Sequence, residues 1–156
     1  SIPEEVRGLG HAYALTVLQR RDGRALRPVV SLFELGRAVD VVHLSVLHWA
    51  DGVPHVLEER VIHLATVPAA AQEDFSTIPP GDWLLQNSLW SQAEHAISAV
   101  AATAEQAELL AIAEGDPCLL VERRTWNQGE PVTAVRLLYP GGRHRFVGRF
   151  GPYGKV

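Results

Sequence analysis

Six polar residues, His43, His48, Glu58, Glu59, Arg60 and His63, interrupt otherwise apolar runs between Val39 and Leu64. A hairpin that only filled a core would carry Val, Ile or Thr at such positions. Glu58 and Arg60 are two residues apart, so on a strand they share a face and set a carboxylate beside a planar guanidinium. One reading is a structural ion pair at a sheet surface. The other is the wall of a small-molecule pocket, where the carboxylate takes a ligand N–H or hydroxyl and the guanidinium takes a ligand carboxylate.

The element that must position these groups is a β-hairpin turning at Ala50-Asp51-Gly52, since an Asp-Gly step between alternating runs is a strong hairpin signal. Two registers exclude each other, because a one-residue slip moves every side chain to the other face. A two-residue loop sets Ser45 opposite Glu58 and His43 opposite Arg60. A three-residue loop with Gly52 in a bulge sets Leu44 opposite Glu58, and places Val46, His48, Glu58, Arg60 and Ile62 on one face. We expect the second, because Ala-Asp-Gly suits a type I turn closed by a left-handed glycine.

A second hairpin repeats the theme. Cys118–Trp126 and Val132–Tyr139 are β-rich and flank Asn127-Gln128-Gly129, and Thr133, Val135, Leu137 and Tyr139 share a face. A three-residue loop there sets Arg123 opposite Thr133, while Arg136 falls on the other face. Polar groups from the two hairpins can then converge on one anionic, hydrogen-bonding ligand.

The remaining chain reads as short elements around these hairpins. Ser1-Ile2-Pro3-Glu4 has capping-box spacing with a Pro in the first turn, so a short helix should run to Gly8–Gly10. His11–Arg20 reads as a strand and Asp22-Gly23 as a turn. Arg24–Leu35 is ambiguous, with a short helix allowed in LFELGRA. Val67–Thr77 opens on a helix-compatible run, and a one- or two-turn helix begins at Asp82. Glu94–Ala101 should be a strand, then a helix over Ala104–Ile112 follows the Thr103 capping box and closes at Gly115. A last short strand is expected over Arg143–Phe150, with a loose tail beyond. Six or seven strands joined mostly by hairpins, with short helices between them, define an α+β fold on an antiparallel sheet.

Composition narrows the function. The 156 residues, 47% hydrophobic and 21% charged, make one ordinary globular domain with a real core. A net charge of −4 argues against nucleic-acid binding by this stretch itself. No apolar run is long enough to cross a membrane, and no signal peptide opens the chain. The single Cys118 rules out an internal disulfide, fits a reducing cytoplasmic compartment, and is expected to be a buried small residue rather than a nucleophile. The absence of Met, even at position 1, points to an excised domain.

No P-loop, dinucleotide fingerprint or nucleophile elbow is present. His43, His48, His55 and His63 fall on opposite faces of their hairpin in either register, and no HxH or HExxH pair occurs, so no metal site and no cofactor are expected. No group looks like an activated nucleophile or a tuned acid–base pair, so no catalytic residue is assigned and the chain reads as a binding module before an enzyme.

Several stretches resemble a known family. Asp116-Pro117-Cys118-Leu119-Leu120, Arg123-Arg124-Thr125-Trp126, Gly129, Val132, Leu137, Tyr139-Pro140-Gly141 and Arg149-Phe150 are similar to the end of HutC-type histidine-utilisation repressors. So are His43, His48, Gly52, Pro54, Leu57-Glu58-Glu59-Arg60, Val67-Pro68 and Asp74-Phe75, and the opening Ile2 to His11. The resemblance spans nearly the whole chain and marks it as the UTRA effector-binding domain of a GntR-superfamily regulator. It implies a chorismate-lyase-like fold of about six antiparallel strands with flanking short helices, a single domain over 1–156, and a winged-helix DNA-binding domain outside this chain. It also implies a homodimer, DNA contact only through that other domain, no membrane, and urocanate or a similar small carboxylate as effector.

By position, the family's pocket residues fall on Val46, His48 and Glu58 in the first hairpin and on Thr133 and Tyr139 in the second. Arg123 matches a family arginine. Related sugar-phosphate sensors hold phosphate with arginines where this chain has Val46 and His48, which argues against a phosphosugar. Val61 and His63 depart from the family pattern and are expected on the face away from the pocket. The ligand set is therefore His48, Glu58, Arg60, Arg123, Thr133, Tyr139 and Val46, with Glu58 accepting from an imidazole and Tyr139, with His48 or Arg123, holding the carboxylate. The rivals are a sensor of another ligand such as imidazolepropionate, a lyase on the same fold using Glu58 and Arg123, and a purely structural dimerisation domain.

Overall fold

The computed structural model describes residues 1–25, 39–152 and 154–155. Helix α1 (Ile2–Gly8) leads into β1 (Tyr13–Arg24), and the central hairpin is β2 (Asp40–Ala50) and β3 (Val53–His63). A 3-10 turn over Pro68–Gln72 and helix α2 (Pro80–Asn87) follow, then β4 (Gln92–Ala101), helix α3 (Ala104–Leu110), β5 (Pro117–Asn127) and β6 (Glu130–Pro140). Strands β1 to β6 form one six-stranded sheet in the order β1-β2-β3-β6-β5-β4, every neighbour antiparallel. The two polar hairpins thus meet at its centre, where β3 pairs with β6. A short pair, β7 (Phe150–Gly151) and β8 (Gly154–Lys155), lies apart.

Both faces of the sheet are covered, which is why β3 and β6 bury residues almost continuously instead of alternating. On one face Val42, Leu44, Val46 and Ile62 pack with Phe75, Trp83 and Leu84 from the 3-10 and α2 region, and Val56, Val135 and Leu137 extend that layer toward Ile2 of α1. On the other face Leu47, Leu57, Leu120, Leu138 and Cys118 pack against Ala107 and Leu110 of α3. Cys118 is buried, and burial pushes its thiol up, as fits a packing residue. Val61 and His63 lie on the face away from Glu58 and Arg60, as the strand period requires.

Both capping signals operate. The Ser1 hydroxyl accepts from the Glu4 amide, and the Thr103 and Gln106 side chains cap one another's backbone reciprocally. Several boundaries differ from the sequence reading. Strand β1 runs through Asp22-Gly23 to Arg24 because β2 pairs with it throughout. Helix α3 closes at Ala111, which takes the left-handed conformation expected of Gly115. No strand forms over 143–149, and part of the tail pairs in β8 instead of hanging loose. The ambiguous LFELGRA stretch lies outside the described residues.

The hairpin register is the main correction. The first loop has two residues, Asp51 and Gly52, both at positive φ (50° and 75°), so the turn is type I′ and Ala50 pairs with Val53. Asp51 tolerates this conformation while its carboxylate accepts from the Ala12 amide (2.7 Å) and meets His11 Nδ1 (2.7 Å). The register then slips beside His48: Trp49 pairs with Pro54 but His48 pairs with Val56, leaving His55 as an extra residue. Val46 therefore opposes Glu58, a pairing neither sequence register offered. The slip restores the parity that the two-residue loop would have lost, so Val46, His48, Glu58, Arg60 and Ile62 do share a face. The second hairpin works identically. Gln128 and Gly129 form the two-residue turn (φ 49° and 88°), Val132 is the extra residue, and Arg123 opposes Val135 instead of Thr133.

Candidate functional site

Glu58 stands at the centre of the covered face, 1% exposed, with both carboxylate oxygens engaged. Oε2 accepts from His48 Nε2 at 2.7 Å, and Oε1 accepts from Arg60 Nε. Nε2 donates to the carboxylate, and on its other side the ring meets the Tyr13 hydroxyl through Nδ1 at 2.8 Å. On the other side, Arg60 Nη1 donates to Thr133 Oγ1 (3.2 Å), which donates to the Val61 carbonyl (2.8 Å). The chain Tyr13–His48–Glu58–Arg60–Thr133 is thus satisfied from end to end, as a buried polar network must be. Burial alone pushes the Glu58 carboxyl up, but the Arg60 charge and the His48 hydrogen bond outweigh it and lower its pKa to about 2. Burial and the nearby Glu58 charge raise Tyr13, which keeps its proton.

A cavity of about 320 Å³ opens over this network. Its floor is Glu58 and Arg60 of β3 with Thr133, Leu137 and Tyr139 of β6. Arg123 and Thr125 of β5 and Ala93 and His95 of β4 form one side, and Ile2 and Glu5 of α1 face Asp82, Leu84 and Leu85 of α2. The volume sits at the low end of the range for small-molecule sites. Of the seven residues the sequence nominated, Glu58, Arg60, Arg123, Thr133 and Tyr139 line the cavity. Val46 and His48 share their face but not the lining: Val46 is packed among Val42, Leu44 and Ile62, and His48 stands behind Glu58.

The wall's charges are unequally compensated. Glu5 Oε1 meets His55 Nε2 (3.0 Å), and its Oε2 accepts from the Tyr139 hydroxyl (3.3 Å). Asp82 accepts from the Ser1 hydroxyl at 2.8 Å. Arg123 differs: among the described residues its guanidinium has no hydrogen-bonding or ion-pairing partner. Partial burial and the neighbouring Arg60 cation depress its pKa, yet an arginine stays charged under all ordinary conditions. His95, paired across the strands with Arg123, is lowered by burial and by that cation. The cavity therefore offers a net positive corner beside a network of fixed acceptors, a fit for a small molecule with a carboxylate at one end.

Sequence reasoning missed Glu5, Asp82 and His95. Glu5 and Asp82 come from helices far from the hairpins in sequence, and nothing local marks them. His95 was legible in principle, because once β4 pairs with β5 it lies directly beside Arg123.

A model of the UTRA domain matches residues 8–145, and the chain belongs to that family. Within it, the chain is similar to histidine utilization repressors. It is 35% identical over 150 residues to the histidine utilization repressor of Pseudomonas putida, an alignment covering 96% of this chain and 60% of that protein. The chain thus spans about three-fifths of the length of that curated relative. Among solved structures, the C-terminal domain of histidine utilization repressor from Pseudomonas syringae pv. tomato str. DC3000 matches with a TM-score of 0.83 at 32% identity, over 90% of this chain and 99% of that one. The effector domain of PhnF from Mycobacterium smegmatis also reaches 0.83, at 18% identity over 97% and 94% of the two chains, a likeness of fold alone. The expected UTRA fold is the one observed. Among the described residues, no helix is long and apolar enough to cross a membrane.

Proposed function

We propose that this chain is the effector-sensing domain of a cytoplasmic histidine-utilisation-type transcriptional repressor, and that its cavity binds urocanate or a similar small heteroaromatic carboxylate. One observation carries the reading: Arg123 lines a small cavity and, among the described residues, has no hydrogen-bonding or ion-pairing partner. A guanidinium there takes a carboxylate bidentately, with the Tyr139 hydroxyl within the same wall. The imidazole end then lies toward Glu58, whose oxygens retain lone pairs beyond those given to His48 and Arg60. In this scheme His48 acts by holding Glu58, and Val46 by filling the core beneath. Arg60 and Thr133 fix the floor.

Binding shifts the population of two homodimer geometries and so the spacing of DNA-binding domains that lie outside this chain. The apolar side chains left exposed around α2 and β4, Leu89, Trp90 and Ile97, support a dimer on that side. The test is a calorimetric titration with urocanate, with histidine and glucosamine 6-phosphate as controls. Saturable binding of urocanate alone is the expected result. Binding of the sugar phosphate in its place would overturn the ligand assignment.

A further inference from the structure

Behind the cavity wall, Glu5, His55 and His144 bring three ligand-type atoms within 4.8 Å of one another. They come from α1, from the extra residue of the β3 bulge, and from the loop after β6. His55 Nε2 lies 3.0 Å from Glu5 Oε1 and 3.4 Å from His144 Nε2. We propose that Glu5, His55 and His144 form a binding site for a divalent transition-metal ion of the zinc class.

The spacing fits the ion. Donors held at ~2.0–2.1 Å around a tetrahedral zinc are ~3.3 Å apart, close to both measured sides. Two imidazoles with one carboxylate select zinc and its neighbours over magnesium or calcium, which prefer oxygen donors throughout. Three protein ligands leave one position of a four-coordinate ion for an exogenous donor.

The surroundings orient the ligands. His144 Nδ1 lies 3.1 Å from the Pro140 carbonyl, which can only accept, so Nδ1 carries the proton and Nε2 turns its lone pair toward His55. The far oxygen of Glu5 accepts from the Tyr139 hydroxyl, leaving Oε1 for the site. Tyr139 packs edge-on against both imidazoles, and Phe146 packs edge-on against Tyr139. The nearby Arg143 cation is turned away, donating to the Pro54 and Leu110 carbonyls. The slip that keeps Glu58 on the cavity face also delivers His55 to this cluster. Its sequence positions, 5, 55 and 144, explain why spacing motifs did not find it.

The experiment titrates the tag-free, chelator-treated protein with Co²⁺ as the spectroscopic substitute for zinc, reading visible d–d absorption and melting temperature together. One equivalent should bind, with bands of a four-coordinate site and a melting temperature that rises with metal concentration. His144→Ala and Glu5→Gln should each weaken binding by more than the roughly 10–100-fold that loss of an outer-sphere partner costs, with unchanged far-ultraviolet circular dichroism. His11→Ala, whose imidazole meets Asp51 and none of the three ligands, should bind as the parent does. No stoichiometric binding by the parent would overturn the proposal. So would bands that persist undiminished in both His144→Ala and His55→Gln, because the ion would then sit elsewhere.

Discussion

Replacing Glu58 by Gln keeps the side chain's shape and removes its charge, so it isolates what the carboxylate does. In the variant, Arg60, 8% exposed, loses its counter-charge, and an amide with a single acceptor oxygen cannot accept from both His48 and Arg60 in their present places. Two routes give the cost. Breaking a buried ion pair by removing one partner typically destabilises by ~3–5 kcal/mol. Independently, a fall from 4.5 to about 2 is a shift of about 2.5 pKa units at ~1.36 kcal/mol each, or roughly 3 kcal/mol. For a chain of this length the melting temperature should drop by roughly 6–12 °C at neutral pH.

The sign of the pH dependence follows from the direction of that shift. The folded-state pKa is depressed, so the contribution is fully present above about 4.5 and is lost as pH falls toward 2. The parent should lose it on acidification while Glu58→Gln has none to lose. Their stability gap, measured by urea unfolding, should be full at neutral pH and shrink by more than half near about pH 3. A gap under ~1 kcal/mol, or one independent of pH, would refute the assignment of Glu58 as the buried anion of the network.

Other expectations rest on single contacts. Phe75, fully buried at φ 60° and stacked edge-on with Trp83 at 5.4 Å, should cost about 3–5 kcal/mol on truncation to Ala, read by denaturant unfolding. Arg20 donates to the carbonyls of Ala70, Ala71 and Glu73, so Arg20→Ala should speed amide exchange around the 3-10 turn and cost about 1–3 kcal/mol. Cys118 should stay unreactive toward a thiol reagent in the native protein and react fully once unfolded.

Much of the fold was readable because its signals are local. Asp-Gly and Gln-Gly turns, two capping residues and alternating strands each specify an element within a few residues. What could not be read is where an extra residue enters a strand. The single-residue insertions at His55 and Val132 carry no composition cue, yet they set every cross-strand partner beyond them. The cofacial set around Glu58 was anticipated for a reason that does not hold: the three-residue loop is absent, and a two-residue turn plus a bulge gives the same parity. The site divides the same way. Residues on the two hairpins followed from the strand period, whereas Glu5 and Asp82 reach the cavity through packing between elements distant in sequence, and His95 through the pairing of β4 with β5.

The most direct test of the central claim is isothermal titration of urocanate into the parent, Arg123→Ala and Arg136→Ala. Arg136 lies on the opposite face, exposed and paired with Glu122 at 3.3 Å. If the unpartnered guanidinium holds the ligand carboxylate, Arg123→Ala should lose at least tenfold in affinity, as for a charge-assisted bond of about 1.5–3 kcal/mol, and Arg136→Ala should bind as the parent does. Equal affinity in Arg123→Ala and the parent would contradict the account.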